Sequence, residues 1–146
     1  MNEMTNEMNR ILVIEDDPDA QEMLSDILGQ AGYDPVVAVD GEQGLEMAES
    51  MPPGLILLDL MLPGIDGVEV CRRLSGNDAT RGIPVIVLTC RNELPVKLTS
   101  FMAGAKRFLT KPCEPDVLLN EISRTFRQAS YGDSHSVTGP PLDPRD

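Results

Sequence analysis

Four short apolar runs lead into residues able to do chemistry. Ile11-Leu12-Val13-Ile14 leads into Glu15-Asp16-Asp17, Leu55-Ile56-Leu57-Leu58 into Asp59, Ile83 to Leu88 into Thr89, and Lys106 to Leu109 approaches Lys111. If these runs are parallel strands, the carboxylates of Asp16, Asp17 and Asp59 meet the Thr89 hydroxyl and the Lys111 ammonium at one carboxyl edge. That is where open α/β sheets place their ligands. Two carboxylates about 4 Å apart repel by about 4 kcal/mol at an effective dielectric near 20, so such a cluster needs a cation or raised pKa values. Lys111 supplies one positive charge, too little for three acids. A divalent ion with oxygen ligands would balance them, and Mg2+ takes one or two carboxylates plus water or phosphate oxygens. A carboxylate beside a metal, a hydroxyl donor and an ammonium are the parts needed to accept and hold a phosphoryl group.

Helical segments alternate with the apolar runs and position these residues. Asp17 can cap a helix whose first turn takes Pro18; Ala20, Met23, Leu24, Ile27, Leu28 and Ala31 then recur at helical spacing, and Gly32 closes the segment. Met23 is assigned to the core. Val36 to Val39 reads as a strand and Glu42 to Met51 as a short helix burying Leu45 and Ala48. After the turn Pro63-Gly64-Ile65-Asp66-Gly67, a helix carries Val68, Cys71 and Leu74. Leu94 to Ala103 is a weaker helix with Leu98, Phe101 and Met102, and a last helix from Pro115 to Arg127 carries Leu118, Ile122 and Phe126. Five strand–helix units predict an α/β protein with a five-stranded parallel sheet and helices on both faces. Continuous apolar strands, rather than alternating ones, fit a sheet covered on both sides. The expected organisation is a disordered N-terminus over 1–8, one domain over 9–128, and a Ser-, Gly- and Pro-rich disordered tail or linker over 129–146.

Composition excludes several classes. The chain has 146 residues, with Lys+Arg 12 against Asp+Glu 24 and a net charge of −12. Direct nucleic-acid binding by this domain and binding to anionic membranes are therefore not expected. The apolar runs are too short to span a bilayer, and the first residues lack the pattern of a signal peptide. Cys71, Cys90 and Cys113 form no C-x-x-C pair, and the one His is His135, so neither a disulfide framework, a zinc knuckle nor a His-based triad is indicated. Cys90 and Cys113, beside the proposed site, read as small buried hydrophobes. A cytoplasmic protein is expected.

The chain resembles the receiver domain of bacterial response regulators over about residues 9 to 128. The resemblance rests on Glu15-Asp16-Asp17, Leu58-Asp59, Leu88-Thr89 and Lys111-Pro112, and on the longer stretches Asp59 to Gly67 and Gly104 to Pro112. It implies a flavodoxin-like sheet of order 2-1-3-4-5 and a Mg2+-dependent switch that catalyses its own phosphorylation and dephosphorylation. Asp59 would take a phosphoryl group from the phosphohistidine of a sensor histidine kinase or a histidine phosphotransfer protein. Asp17, Asp59 and the backbone carbonyl of Met61 would ligate Mg2+, with Asp16 acting through water. Lys111, preceding a cis Pro112, and Thr89 would contact the phosphoryl oxygens. Phe108 would turn inward as Thr89 moves, remodelling the face of the fourth helix, fifth strand and fifth helix for a downstream protein or an attached effector domain. Moving such a switch from mostly off to mostly on takes about 5.5 kcal/mol, and a phosphoryl group adds about −1.5 to −2 charges beside the ammonium.

Alternatives fare worse. A haloacid-dehalogenase-like phosphatase needs a second Asp two residues after the nucleophile, where this chain has Met61. Nucleotide or flavin phosphate after the first strand would face Glu15-Asp16-Asp17 with no glycine-rich loop. The other reading kept is a receiver-like interaction module that works without phosphorylation. The resemblance also includes phosphorylation-dependent dimers, but Lys106-Arg107 stands where dimerising regulators carry two acids, which speaks against that pairing here. Met61 and Arg91 occupy positions that tune dephosphorylation in the family.

Overall fold

The structure, a computed structural model, describes residues 9–135. The expected disordered N-terminus over 1–8, and residues 136–146 of the expected tail, lie outside the described residues. Five strands and five helices alternate: β1 (Arg10–Ile14), α1 (Pro18–Gln30), β2 (Asp34–Ala38), α2 (Gly41–Ser50), β3 (Leu55–Leu58), α3 (Gly67–Gly76), β4 (Val85–Thr89), α4 (Leu94–Met102), β5 (Arg107–Thr110) and α5 (Pro115–His135). The strands form one sheet in the order β2-β1-β3-β4-β5, and every neighbouring pair is parallel. Among the described residues, no helix is long and apolar enough to cross a membrane.

Strand pleating sends successive side chains to opposite faces, and both faces are covered. Ile11, Val13, Leu55, Leu57, Ile86 and Leu88 pack with Leu24 and Leu28 of α1 and with Leu118 and Ile122 of α5. Leu12, Ile14, Ile56, Leu58, Val85 and Val87 pack with Ala48 of α2, Val70, Cys71 and Leu74 of α3, and Ala103 after α4. Continuous apolar runs in β1, β3 and β4 follow directly, since each strand has two dry faces.

Element ends have local causes. Asp17 has extended backbone and its side chain accepts from the Ala20 amide at 2.9 Å, with Pro18 in the first turn of α1. Gly32 follows at a positive φ of 97° that turns the chain toward β2. β2 begins at Asp34, two residues before the expected strand, and includes Pro35. As an edge strand paired only with β1, it tolerates a residue without an amide proton.

Two expectations about the helices are corrected, for α1 and α5, and the structure sets the rotation of α4. Met23 is exposed, because the buried stripe of α1 is Leu24 and Leu28 and Met23 lies about 100° around the helix from Leu24. Leu98, Phe101 and Met102 do not form the core face of α4. That helix turns Val96, Ser100 and Ala103 toward the sheet, and the Ser100 hydroxyl donates to the Val96 carbonyl at 2.8 Å, so the small polar residue is buried without loss. α5 continues to His135, so residues 129–135, expected in the disordered tail, are helical. Once Leu118 and Ile122 dock the helix, each added residue gains a backbone hydrogen bond without a new nucleation cost.

Candidate functional site

The carboxyl edge of the sheet gathers the chemistry-bearing residues. Glu15 and Asp16 follow β1, Asp59 follows β3, Thr89 ends β4 and Lys111 follows β5. The Lys111 ammonium donates to Glu15 Oε1 at 2.6 Å and to Asp59 Oδ2 at 3.0 Å. Asp59 Oδ1 accepts from the Met61 amide at 3.0 Å, which folds the backbone after β3 around the carboxylate. Asp59 is buried to 8% exposure and Glu15 to 2%. Burial pushes the Glu15 carboxyl up against the opposing pull of Lys111 and of the Asp17 amide.

Carboxylate oxygens of Glu15, Asp16 and Asp59 lie within 4.8 Å of one another. The converging acids therefore differ from the expected set. Asp16 and Asp59 are brought together, whereas Asp17 caps α1 and stands outside the group. Its place is taken by Glu15, whose Oε2 accepts from the Asp17 amide at 3.1 Å. The capping signal in Asp17-Pro18 could have exposed this. Glu15 directly continues β1 and its amide donates to the Ala38 carbonyl of β2 at 3.0 Å, so the sheet sets its direction.

Thr89 is fully buried, and its hydroxyl accepts from the Arg91 amide at a long 3.4 Å. Phe108 is half-buried against the α2–α3 side of the core. Its ring centroid lies 6.5 Å from that of Phe101, and Lys97 Nζ stands 5.8 Å over it. The Lys111–Pro112 bond is cis. Gly67, first residue of α3, donates its amide to the Leu60 carbonyl at 3.0 Å. A Cβ there would meet Leu60 Cα and would stand 2.6 Å from the Asp59 carbonyl oxygen. The glycine lets α3 lie against the Asp59–Met61 turn.

Two cysteine expectations are corrected. Cys90 is exposed and Cys113 half-buried, while Cys71 is the buried thiol. Cys90 follows the last residue of β4, where the chain leaves the covered sheet, and its sulfur lies 3.3 Å from that of half-exposed Met61 at the rim of the site.

Residues 11–123 match the family model of the response regulator receiver domain. The chain belongs to the response regulator receiver family. It is 42% identical over 121 residues to the DNA-binding dual master transcriptional regulator RpaA of Synechocystis sp., covering 83% of this chain and 50% of that protein. It is 38% identical over 119 residues to the DNA-binding response regulator MtrA of Mycolicibacterium smegmatis, covering 82% and 51%. The receiver thus spans about half the length of these curated relatives. Among solved structures, it resembles a CheY-like response regulator receiver domain protein of Methanospirillum hungatei, with TM-score 0.80, 28% identity and coverage of 84% and 97%. It also resembles the BeF3-activated N-terminal receiver domain of Klebsiella pneumoniae RstA, with TM-score 0.76, 34% identity and coverage of 82% and 100%.

The donor set of this receiver fits the Mg2+ of its family. Glu15, Asp16 and Asp59 offer oxygen donors alone, and the one ammonium among them leaves an excess of negative charge that a hard divalent cation would neutralise.

Proposed function

We propose that this receiver is a phospho-accepting switch in which Asp59 takes a phosphoryl group from the phosphohistidine of a sensor histidine kinase or a histidine phosphotransfer protein. The observation that carries the reading is the contact of Lys111 with Asp59 beside the Glu15–Asp16 pair. An Asp59 carboxylate oxygen forms the new bond to phosphorus as the phosphorus–nitrogen bond of the donor breaks, and the leaving imidazole takes up a proton.

Asp16, Asp59 and the backbone carbonyl of Met61 would hold Mg2+, with Glu15 beside them. The ion would supply positive charge to the phosphoryl oxygens. Lys111, already held by two acids, would turn from Asp59 toward those oxygens, and the Thr89 hydroxyl would donate to one of them. Both contacts are charge-assisted hydrogen bonds, about twice as strong as neutral ones. Drawing Thr89 toward the phosphoryl group leaves space at the end of β4 that Phe108 fills by turning inward, which changes the surface of α4, β5 and α5. That surface would report to a downstream protein or an attached effector domain. The DNA-binding relatives, about twice as long, support the effector reading. The family and the composition support a cytoplasmic location, without nucleic-acid contact by this domain.

Intact mass after incubation with Mg2+ and acetyl phosphate tests the reading. A single phosphoryl adduct, lost in Asp59→Ala and on chelating the metal, is expected. Absence of the adduct with a cognate phosphohistidine donor as well, together with no thermal shift by Mg2+, would leave the phosphorylation-independent interaction module in its place.

A further inference from the structure

A cleft opens at the edge of the sheet opposite Asp59, where β4 and β5 begin. The end of α3, residues 80–85, Lys106 and one flank of α5 enclose about 550 Å3, room for a small organic molecule. Leu74, Pro84 and Val85 give it a buried apolar wall. The chain carries Asp+Glu 24 against Lys+Arg 12, yet no acid lines the cleft and two cations, Arg81 and Lys106, do. Among the described residues, Lys106 makes no ion pair. Arg81 pairs at 3.4 Å with Asp78, whose side chain is 93% exposed, and so open a pair yields easily to a ligand. The hydroxyls of the cleft are already spent as donors. Ser75 Oγ donates to the Ala103 carbonyl at 2.7 Å and Thr80 Oγ1 to the Leu74 carbonyl at 2.8 Å. A hydroxyl has one proton and two lone pairs, so both can receive a proton donor and neither can supply one.

We infer that this cleft binds a small aromatic phosphate of the nucleoside monophosphate type, with its phosphate on Lys106 and Arg81 and its base against Leu74, Pro84 and Val85. The chemistry of the lining selects this class. A phosphate monoester carries about −1.5 to −2 charges at neutral pH, which two cations match, and the arginine fork suits phosphate oxygens. An inorganic anion or a short dicarboxylate would leave the apolar wall uncovered, and a carboxylate brings no proton to Ser75 and Thr80. A cationic amine would meet two like charges. A nucleoside supplies what remains, namely an apolar ring face and the protons of ring amines and ribose hydroxyls. A nucleic acid would carry further phosphates over the acids elsewhere on the chain and be repelled, whereas a mononucleotide keeps its charge beside the two cations. The Lys106 amide donates to the Val85 carbonyl at 2.8 Å, so the backbone that carries this cation is fixed to the cleft wall. None of Glu15, Asp16, Asp59, Thr89 and Lys111 lines the cleft, so the inference does not depend on the function proposed above.

The test is isothermal titration of the full chain in metal-free buffer with AMP, GMP, CMP and UMP in turn, beside mapping of amide chemical shifts. At least one is expected to bind with a Kd of about 10–100 μM, the order that drug-sized ligands reach with about 20 heavy atoms. That nucleotide should shift the amides around Ile83, Lys106 and Ala129 rather than those around Asp59 and Thr89. Its nucleoside alone and inorganic phosphate alone should each bind about tenfold more weakly or worse, since each keeps only part of the contacts. Lys106→Glu should weaken the nucleotide about tenfold, and Lys106→Arg should hold it within about threefold of wild type. Lys106 is exposed, so both changes are open to solvent, and circular dichroism checks that the variants fold. Lys111→Gln removes the cation beside Asp59 and should leave nucleotide binding unchanged. The inference is overturned if none of the four binds below about 1 mM, if the shifts centre on Asp59, if Lys111→Gln abolishes binding, or if Lys106→Glu leaves it unaltered. Inorganic phosphate as tight as the nucleotide would make this a plain anion site, and the nucleoside as tight would remove the phosphate from recognition; either result also overturns it.

Discussion

Lys111 Nζ stands 3.0 Å from Asp59 Oδ2, although 52 positions separate the two residues, and the same ammonium holds Glu15 at 2.6 Å. One cation thus orients two buried acids. Burial disfavours the ammonium, but its hydrogen bonds to Glu15 and Asp59 outweigh burial and raise Lys111 above its ordinary 10.5. A cation whose pKa rises on folding contributes stability that is complete below 10.5 and lost as pH climbs through the raised value. Lys111→Gln should therefore cost about 1–2 kcal/mol at neutral pH in metal-free protein, the range of a charge-assisted contact partly open to solvent. Urea unfolding across the alkaline range should show the wild-type and variant curves converging above that point. A constant gap would contradict this account of the pair.

Gly67 controls how closely α3 approaches the Asp59–Met61 turn. In Gly67→Ala, the added carbon would press on Leu60 Cα and the Asp59 carbonyl oxygen, which are backbone atoms without rotamers to yield. Stability should fall by about 1–3 kcal/mol, as for other overpacked sites, and labelling by acetyl phosphate should slow because the Asp59–Met61 turn shifts. Equal labelling rates at full folding would show that the turn does not depend on this approach.

Met61 donates its amide to Asp59 and leaves its side chain half-exposed, its sulfur beside that of Cys90. An apolar thioether there cannot orient a water for attack on an aspartyl phosphate, whereas an amide can. Met61→Asn should shorten the adduct lifetime severalfold, measured by intact mass after removing acetyl phosphate. An unchanged lifetime would remove the side chain from any role in hydrolysis.

The three thiols should separate kinetically. Cys71 is buried and pushed up to about 11 by that burial, against a small opposing pull from Arg72. Cys113 is raised by burial first and then by Glu114 and Glu121. With iodoacetamide at mildly alkaline pH, peptide mapping should show Cys90 modified first, Cys113 more slowly, and Cys71 only on unfolding. Early loss of Cys71 would mean that α3 opens far more readily than its packing implies.

How much of this was legible before the fold was known depends on the distance over which each signal acts. The strand runs β1, β3 and β4 declare themselves because both of their faces are dry, so burial leaves a continuous apolar signature. Asp59, Thr89 and Lys111 could be found because a parallel sheet brings every strand's carboxyl end to one edge. The Asp17 cap is also local, readable from Asp-Pro at a helix start.

What the sequence alone determined, then, is the alternation of elements, the edge on which the chemistry gathers, and the residue types available there. Only the tertiary structure decided which two of three consecutive acids, Glu15 and Asp16, turn toward Asp59, because that choice follows from the backbone direction at the end of β1 and from a lysine 96 positions away. It also decided the rotation of α4. Val96 and Ser100 compete with Leu98 and Phe101 for the sheet, and helical spacing offers both faces equally. The folded chain buries Ser100 and part of Val96 and leaves Leu98 and Phe101 exposed, a long-range choice that leaves no mark in any local window of the chain.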